Sequence, residues 1–350
     1  MKRLNLIVGL LSVLVLFVVA TAFKAAQAVL IPLMIAWLLS YICGPVVNYL
    51  VHKKVPLGLA VFSVLVLVLL VCYLSGIFLY GRVQSFASEY QTYAERLTVI
   101  FNDMMYNLST RFDVPETAFA DINWTREIGK RLLTASGNVA NFIGNLIMVL
   151  IFLVFMLLGK PYFKYKVNKA FPEDRAETFS TVASSISKQI GQYLVVKVAI
   201  SGTTAVLVWL SLTMLDVEFA LTWGALAFFL NFIPSIGSIL ASVPPILLAV
   251  VQFYPNGWMP LLVAVMLLLI QMTMGNVVEP KIMGDSLNLS PVVILLSLVF
   301  FGWLWGIVGA LLSVPIAAAI KIVCENIDAL KPISILMGSG KSLWKETQET

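Results

Sequence analysis

The sequence predicts an all-α polytopic membrane protein, built of transmembrane helices plus two oppositely oriented re-entrant helical hairpins forming an inverted repeat. Three observations carry that expectation. Hydrophobic residues make up 60% of the chain and charged residues only 12%, about half the charged share of a soluble domain. The apolar runs are long and unbroken, whereas a strand-built outer-membrane barrel alternates apolar and polar residues. Two uncharged stretches in the C-terminal half are each interrupted near the middle by proline or glycine. In hydrocarbon every backbone polar group needs an internal partner, and a helix supplies it.

Taken in order, residues 1–81 read as three N-terminal transmembrane helices. The run 4–23 follows Lys2 and Arg3, and Ala26-Gln27-Ala28 resembles a signal-peptide cleavage site. The apolar stretch is longer than a signal core, however, and a second run, 25–51, follows at once, so an uncleaved first helix is expected. Pro32 lies early in the second run, and a third covers 55–81. Residues 82–136 read as an extracytoplasmic helical segment. There Val83, Phe86, Tyr90, Tyr93, Leu97, Ile100, Met104 and Leu108 follow spacings of three and four, a heptad-like seam that suits packing within the chain or contact between protomers. Val114-Pro115 ends that helix, and 123–134 starts another.

Residues 137–159 form the fourth transmembrane helix. Residues 160–194 read as a cytoplasmic segment with an amphipathic helix over 173–193, Pro172 at its start and Ile186, Ile190 and Tyr193 as its apolar stripe. A transport core follows over 195–325, opened by a fifth span at 198–215, and 326–350 form a cytoplasmic tail. Lysine and arginine in short loops favour the cytoplasm. With the N-terminus inside, His52, Lys53 and Lys54 fall inside, and so do Lys160, Lys164, Lys166, Lys169, Arg175 and Lys188. The C-terminus is then cytoplasmic too, in a bacterial inner (cytoplasmic) membrane.

Residues 219–278 contain no Asp, Glu, Lys, Arg or His, yet Asn231-Phe232-Ile233-Pro234-Ser235-Ile236-Gly237 interrupts them. Pro234 removes a backbone donor and Gly237 permits unusual backbone angles. Arms 219–233 and 238–252, about 15 residues each, reach roughly 22 Å, short of a ~30 Å hydrocarbon core. A hairpin dipping in from outside fits that length, with Tyr254-Pro255-Asn256-Gly257 closing it. In the second stretch, 286–320, Gly302-Trp303-Leu304-Trp305-Gly306 makes the interruption, and its hairpin enters from inside. Phe228-Phe229 stands eight residues before Ile236-Gly237, just as Phe300-Phe301 stands eight before Val308-Gly309. Ser242-Val243-Pro244 matches Ser313-Val314-Pro315 with one residue's shift. Inverted repeats of broken helices are a transporter architecture.

Broken helices expose backbone at membrane depth, which is tolerated when it is buried or lines a wet cavity. The expected substrate pathway therefore uses Asn231, Pro234, Ser235, Gly237, Gln271, Asn276, Gly302 and Gly306. The competing reading is that Pro234 and Gly237 only kink packed helices. Glu279, Lys281 and Asp285 are the charged residues between the two uncharged stretches. They are candidates for ion coupling or gating, with a structural Glu279–Lys281 salt bridge as the alternative.

Other function classes find no support. His52, the only histidine, stands in a basic loop, and Cys43, Cys72 and Cys324 lack ligand spacing. No nucleophile-elbow, nucleotide-loop or zinc motif is present, so the reading is a non-enzyme with no cofactor and no metal. The net charge of +5 is spread over short loops, not a basic stripe for nucleic acid. The partners expected from composition are a small polar solute and the lipid bilayer.

Several motifs resemble the autoinducer-2 exporter family. They are Gly191-Gln192-Tyr193-Leu194-Val195-Val196-Lys197, Leu215-Asp216-Val217, the run from Leu226 to Gly237, Gly275-Asn276-Val277-Val278-Glu279-Pro280-Lys281-Ile282-Met283-Gly284, Phe301-Gly302-Trp303-Leu304-Trp305-Gly306 and Leu312-Ser313-Val314-Pro315. The resemblance spans nearly the whole chain and is strongest over 191–321. It implies export of the quorum-sensing signal autoinducer-2, self-association as a homopentamer, and alternating access by a hairpin-bearing domain moving against a scaffold. Other members of that family resemble sodium/proton antiporters, so the resemblance leaves the substrate open. A non-transporting membrane scaffold is a third class, motivated by the seam at 83–108.

Overall fold

The computed structural model describes residues 2–112, 139–234, 236–283 and 287–340. Regular structure among them is helical throughout. The helices are α1 (Lys2–Ala25), α2 (Gln27–His52), α3 (Leu57–Phe112), α4 (Val139–Ala170), α5 (Glu173–Met214), α6 (Ala220–Leu230), α7 (Ile236–Phe253), α8 (Trp258–Thr273), α9 (Glu279–Met283), α10 (Pro291–Glu325) and α11 (Lys331–Met337). A π-helical turn, Met274–Val278, joins α8 to α9. Among the described residues, seven helices are long and apolar enough to cross a membrane. Long apolar faces stay uncovered along them: Leu59, Phe62, Phe155 and Val299 are all exposed. Contiguous apolar surface of that extent suits lipid, not water.

The element boundaries depart from expectation in places. The third span and the segment after it form one helix, α3, running to Phe112; Tyr93 of the seam is buried. The second external helix, expected at 123–134, lies outside the described residues. The amphipathic helix and the fifth span are likewise a single helix, α5, of 42 residues. No proline interrupts 173–214, and the one cation that suggested a boundary, Lys197, is paired inside the protein.

The chain divides into two compact units. One comprises Met1–Leu67, Gly144–Val196 and Met283–Thr350. Its core joins Ile190, Tyr193 and Leu194 of α5 to Val314, Ala317 and Ala318 of α10, while Leu304, Trp305, Leu312 and Ile316 gather Ile31, Met34 and Leu38 of α2. Within α10 the backbone leaves helical geometry at Trp305 and Gly306, where Gly306 has φ +64° and ψ −143°. Only glycine takes those angles without strain. A Cβ on Gly302 would lie 3.9 Å from the Ala310 Cβ. A straight helix would hold those positions about 12 Å apart, so the chain folds back between them. Trp305 donates its indole N–H to the Phe23 carbonyl at 3.3 Å, and the Lys24 ammonium lies 4.6 Å over the Trp303 ring.

The other unit comprises Val68–Ile143 and Lys197–Ile282. Val208 and Leu212 of α5, Ala227 of α6, Ala241 and Leu248 of α7, and Val263 and Leu267 of α8 form its core. Helices α6 and α7 pack against each other across the break at Pro234. Here Gly237 is essential, because a Cβ would stand 1.8 Å from the Leu230 carbonyl oxygen. Helix α7 has 18 residues, longer than the arm expected from sequence, because it starts at Ile236 and runs on to Phe253, with Pro244 and Pro245 inside it.

Candidate functional site

The site is assembled on α5, in the second unit. Lys197, Ser201 and Thr204 are all buried, the last two completely. Their spacing of four and three puts them on one helix face. Val208 and Leu212 continue the same face into the core. A polar stripe on an apolar membrane helix must find partners, since an unpaired polar group there is costly.

Two partners arrive from different elements. Lys197 Nζ forms an ion pair with Glu279 Oε1, with side chains 4% and 22% exposed. One turn further along α5, Asn231 donates an amide N–H to Ser201 Oγ at 3.0 Å. Thr204 satisfies itself, donating to the Ile200 carbonyl at 2.9 Å. The break after α6 thus delivers Asn231, and the π turn after α8 delivers Glu279, to successive turns of one helix. Single π turns inside α-helices recur at functional sites. A buried ion pair of this kind is weak evidence of stability, because desolvation offsets its attraction. Losing one partner is what costs most.

Glu279 does not pair with Lys281, as the sequence suggested. The two stand two residues apart in α9, and residues at that spacing point to different sides of a helix. Lys281 is exposed. Pro234 is half-buried beside the break and Gly237 is buried. Gln271 is half-buried on α8, and Asn276 is exposed in the π turn. Ser235 and Asp285 lie outside the described residues. Gly302 and Gly306 belong to the first unit, where they shape the bend in α10.

Sequence reasoning missed Lys197, Ser201 and Thr204. The signal was present as a lone cation followed at four and seven residues by hydroxyl side chains in an apolar run. Away from this site, Gln252 at the end of α7 ties down the loop between α5 and α6. It donates to the Asp216 carbonyl at 2.6 Å and accepts the Glu218 N–H at 3.0 Å. Burial, and then the charge of Glu89, push the Glu218 carboxyl above its ordinary value. Tyr254 donates its hydroxyl to Asp103 at 2.7 Å. Among the described residues no three His, Cys, Asp or Glu side chains form a metal-ligand group.

Comparison with known proteins identifies related chains. A family model described as AI-2E family transporter matches residues 11–329. The AI-2 transport protein TqsA of Escherichia coli (strain K12) is 35% identical over 330 residues, covering 92% of this chain and 93% of that protein. A Borreliella burgdorferi protein is also 35% identical, over 95% of this chain and 90% of its own length. A Haemophilus influenzae protein is 33% identical, over 96% and 98%. The last two are named only "Putative transport protein".

Proposed function

This chain belongs to the AI-2E transporter family, and from that membership we propose a multi-pass inner-membrane secondary transporter that exports a small polar signal, autoinducer-2. Supporting the substrate is the 35% identity to a relative named for AI-2 transport. Supporting the mechanism is one observation, the Lys197–Glu279 ion pair set one turn from the Asn231–Ser201 hydrogen bond. Ionisable residues inside membrane-spanning helices mark transport pathways by default. A hydroxyl-bearing solute can replace the Asn231–Ser201 bond group for group, so its entry need not strand a buried donor.

In this reading the broken segments at Asn231–Gly237 and Gly302–Gly306 are re-entrant tips of an inverted repeat. They carry the pathway through alternating access, with Pro234, Ser235, Gln271 and Asn276 as further candidates along it. Lys53 and Lys54 after α2, with Lys164 and Lys166 in the last turns of α4, support a cytoplasmic side for both termini. Self-association as a homopentamer rests on the family resemblance alone. The decisive measurement is the partition of autoinducer-2 between cells and medium with and without this chain, and with Asn231→Ala. Export that requires the chain and falls with Asn231→Ala supports the reading. Unchanged partition removes the substrate, and full export by Asn231→Ala removes the site.

Sodium/proton antiport is the second reading, favoured by the same ion pair. Protonating Glu279 would leave the Lys197 ammonium buried and unpaired, and so favour a state that hydrates it. Lys281 and Asp285 would then guard the inner end of the route. Proteoliposomes carrying the protein should acidify or alkalinise on a sodium jump, and Glu279→Gln should abolish the response. A silent wild type excludes it.

A further inference from the structure

A second site lies in the first unit, apart from everything used above. Between α2, α4 and α5 is a cavity of about 360 Å³. Its polar wall is Tyr41, Asn48, Lys160, Lys188 and Gln192. Pro45, Val195 and Val196 add apolar surface to the lining.

The cations are the informative part. Among the described residues neither Lys160 nor Lys188 has a carboxylate partner. Lys160 instead points its ammonium 5.5 Å from the Tyr41 ring centroid, a cation–π distance. The absence of a side chain on Gly44 makes room for it: a Cβ there would stand 3.0 Å from Lys160 Nζ. Next to it, Pro45 has no N–H to give the Tyr41 carbonyl, although α2 runs on through it. Two lysines and two side-chain amides line one space, and charge-assisted donors of that kind are the recognition chemistry of a phosphate oxyanion.

Its surroundings narrow the ligand further. The helix ends that flank the cavity carry exposed Lys53, Lys54, Lys164, Lys166 and Lys169, while Pro45 and the exposed Val195 supply apolar surface within its lining. An acyl chain can lie along the second group while its headgroup meets the first. Basic pockets between membrane helices on the positively charged side bind anionic headgroups. We propose that the cavity bounded by Tyr41, Asn48, Lys160, Lys188 and Gln192 binds the phosphate of an anionic phospholipid from the inner leaflet.

The test is native mass spectrometry of the full chain released from detergent, titrated with phosphatidylglycerol or phosphatidylethanolamine. Phosphatidylglycerol should bind in preference. Each lysine should contribute about fivefold, so Lys160→Gln with Lys188→Gln should weaken that binding about 30-fold. Lys160→Arg with Lys188→Arg should retain it, and Lys331→Gln, at an exposed lysine elsewhere on the chain, should leave it unchanged. Gly44→Ala keeps both charges but crowds the Lys160 ammonium, and should produce a smaller loss without unfolding the protein. Binding by the double glutamine variant equal to wild type overturns the site. Displacement of the lipid by soluble glycerol 1-phosphate at millimolar concentration overturns the lipid assignment in favour of a free phosphate ester.

Discussion

The indole N–H of Trp305 donates to the carbonyl of Phe23 at 3.3 Å, so the bend in α10 is fastened to the last turn of α1. Trp305 is buried, and its ring tilts against Phe23 with centroids 6.4 Å apart. Trp305→Phe keeps an aromatic ring and loses the bond, and should cost about 1 kcal/mol. Trp305→Ala also opens a cavity and should cost about 3–5 kcal/mol. Thermal unfolding in detergent measures both, and equal losses would mean that the hydrogen bond, not the ring, is what matters.

The Lys197–Glu279 pair should separate stability from transport. Lys197→Met alone leaves the Glu279 carboxylate without its cation and should cost about 3–5 kcal/mol. Adding Glu279→Leu replaces the pair by apolar groups and should recover most of that loss. Solute flux should stay abolished in both variants. A double variant that transports normally would reduce the pair to a packing feature.

Both folded-back segments depend on a glycine at the second arm's start. A Cβ at Gly237 would stand 1.8 Å from the Leu230 carbonyl oxygen, and one at Gly309 would stand 1.9 Å from that of Phe301. Each alanine variant must push backbone aside and should lose about 1–3 kcal/mol. Gly76→Ala, in open space on α3, should instead gain about 0.5–1 kcal/mol from helix propensity. Chemical denaturation of the three variants side by side checks the contrast.

Glu218 should make stability fall as pH rises. Its carboxyl is raised by burial and by Glu89, so the folded state holds its proton where the unfolded chain has released it. Stability from this group is fully present below the ordinary carboxylate range and is lost up to its folded value. Glu218→Gln should therefore stabilise the protein at neutral pH and leave it unchanged at acid pH. The variant keeps the backbone N–H bond to Gln252. Melting temperatures at pH 4 and pH 7.5 decide it; a gain at both would point to packing.

The sequence made the class legible because apolar length and charge placement are properties of the chain alone. The breaks at Pro234 and Gly306 were equally visible, since proline and glycine act through their own backbones. Helix continuity was not. Lys197 looked like a boundary because charge belongs at membrane edges, and only its partner 82 residues away makes an interior lysine tolerable. The same long-range fact misdirected Glu279 to Lys281, the neighbour in sequence. Asn231 was singled out for its place at a break, but its partner Ser201 had no local mark, because a serine in an apolar helix is common and becomes informative only when something faces it.

The π turn at Met274–Val278 sets the azimuth of everything that follows it. A π turn holds one residue more than an α-helical turn in the same rise, and one residue is worth about 100° of rotation. Deleting a single residue there would restore a regular helix and swing Glu279 away from Lys197 with no change in composition. Whether this chain carries a closed charge pair or two stranded ions is thus decided by the count of residues across five positions.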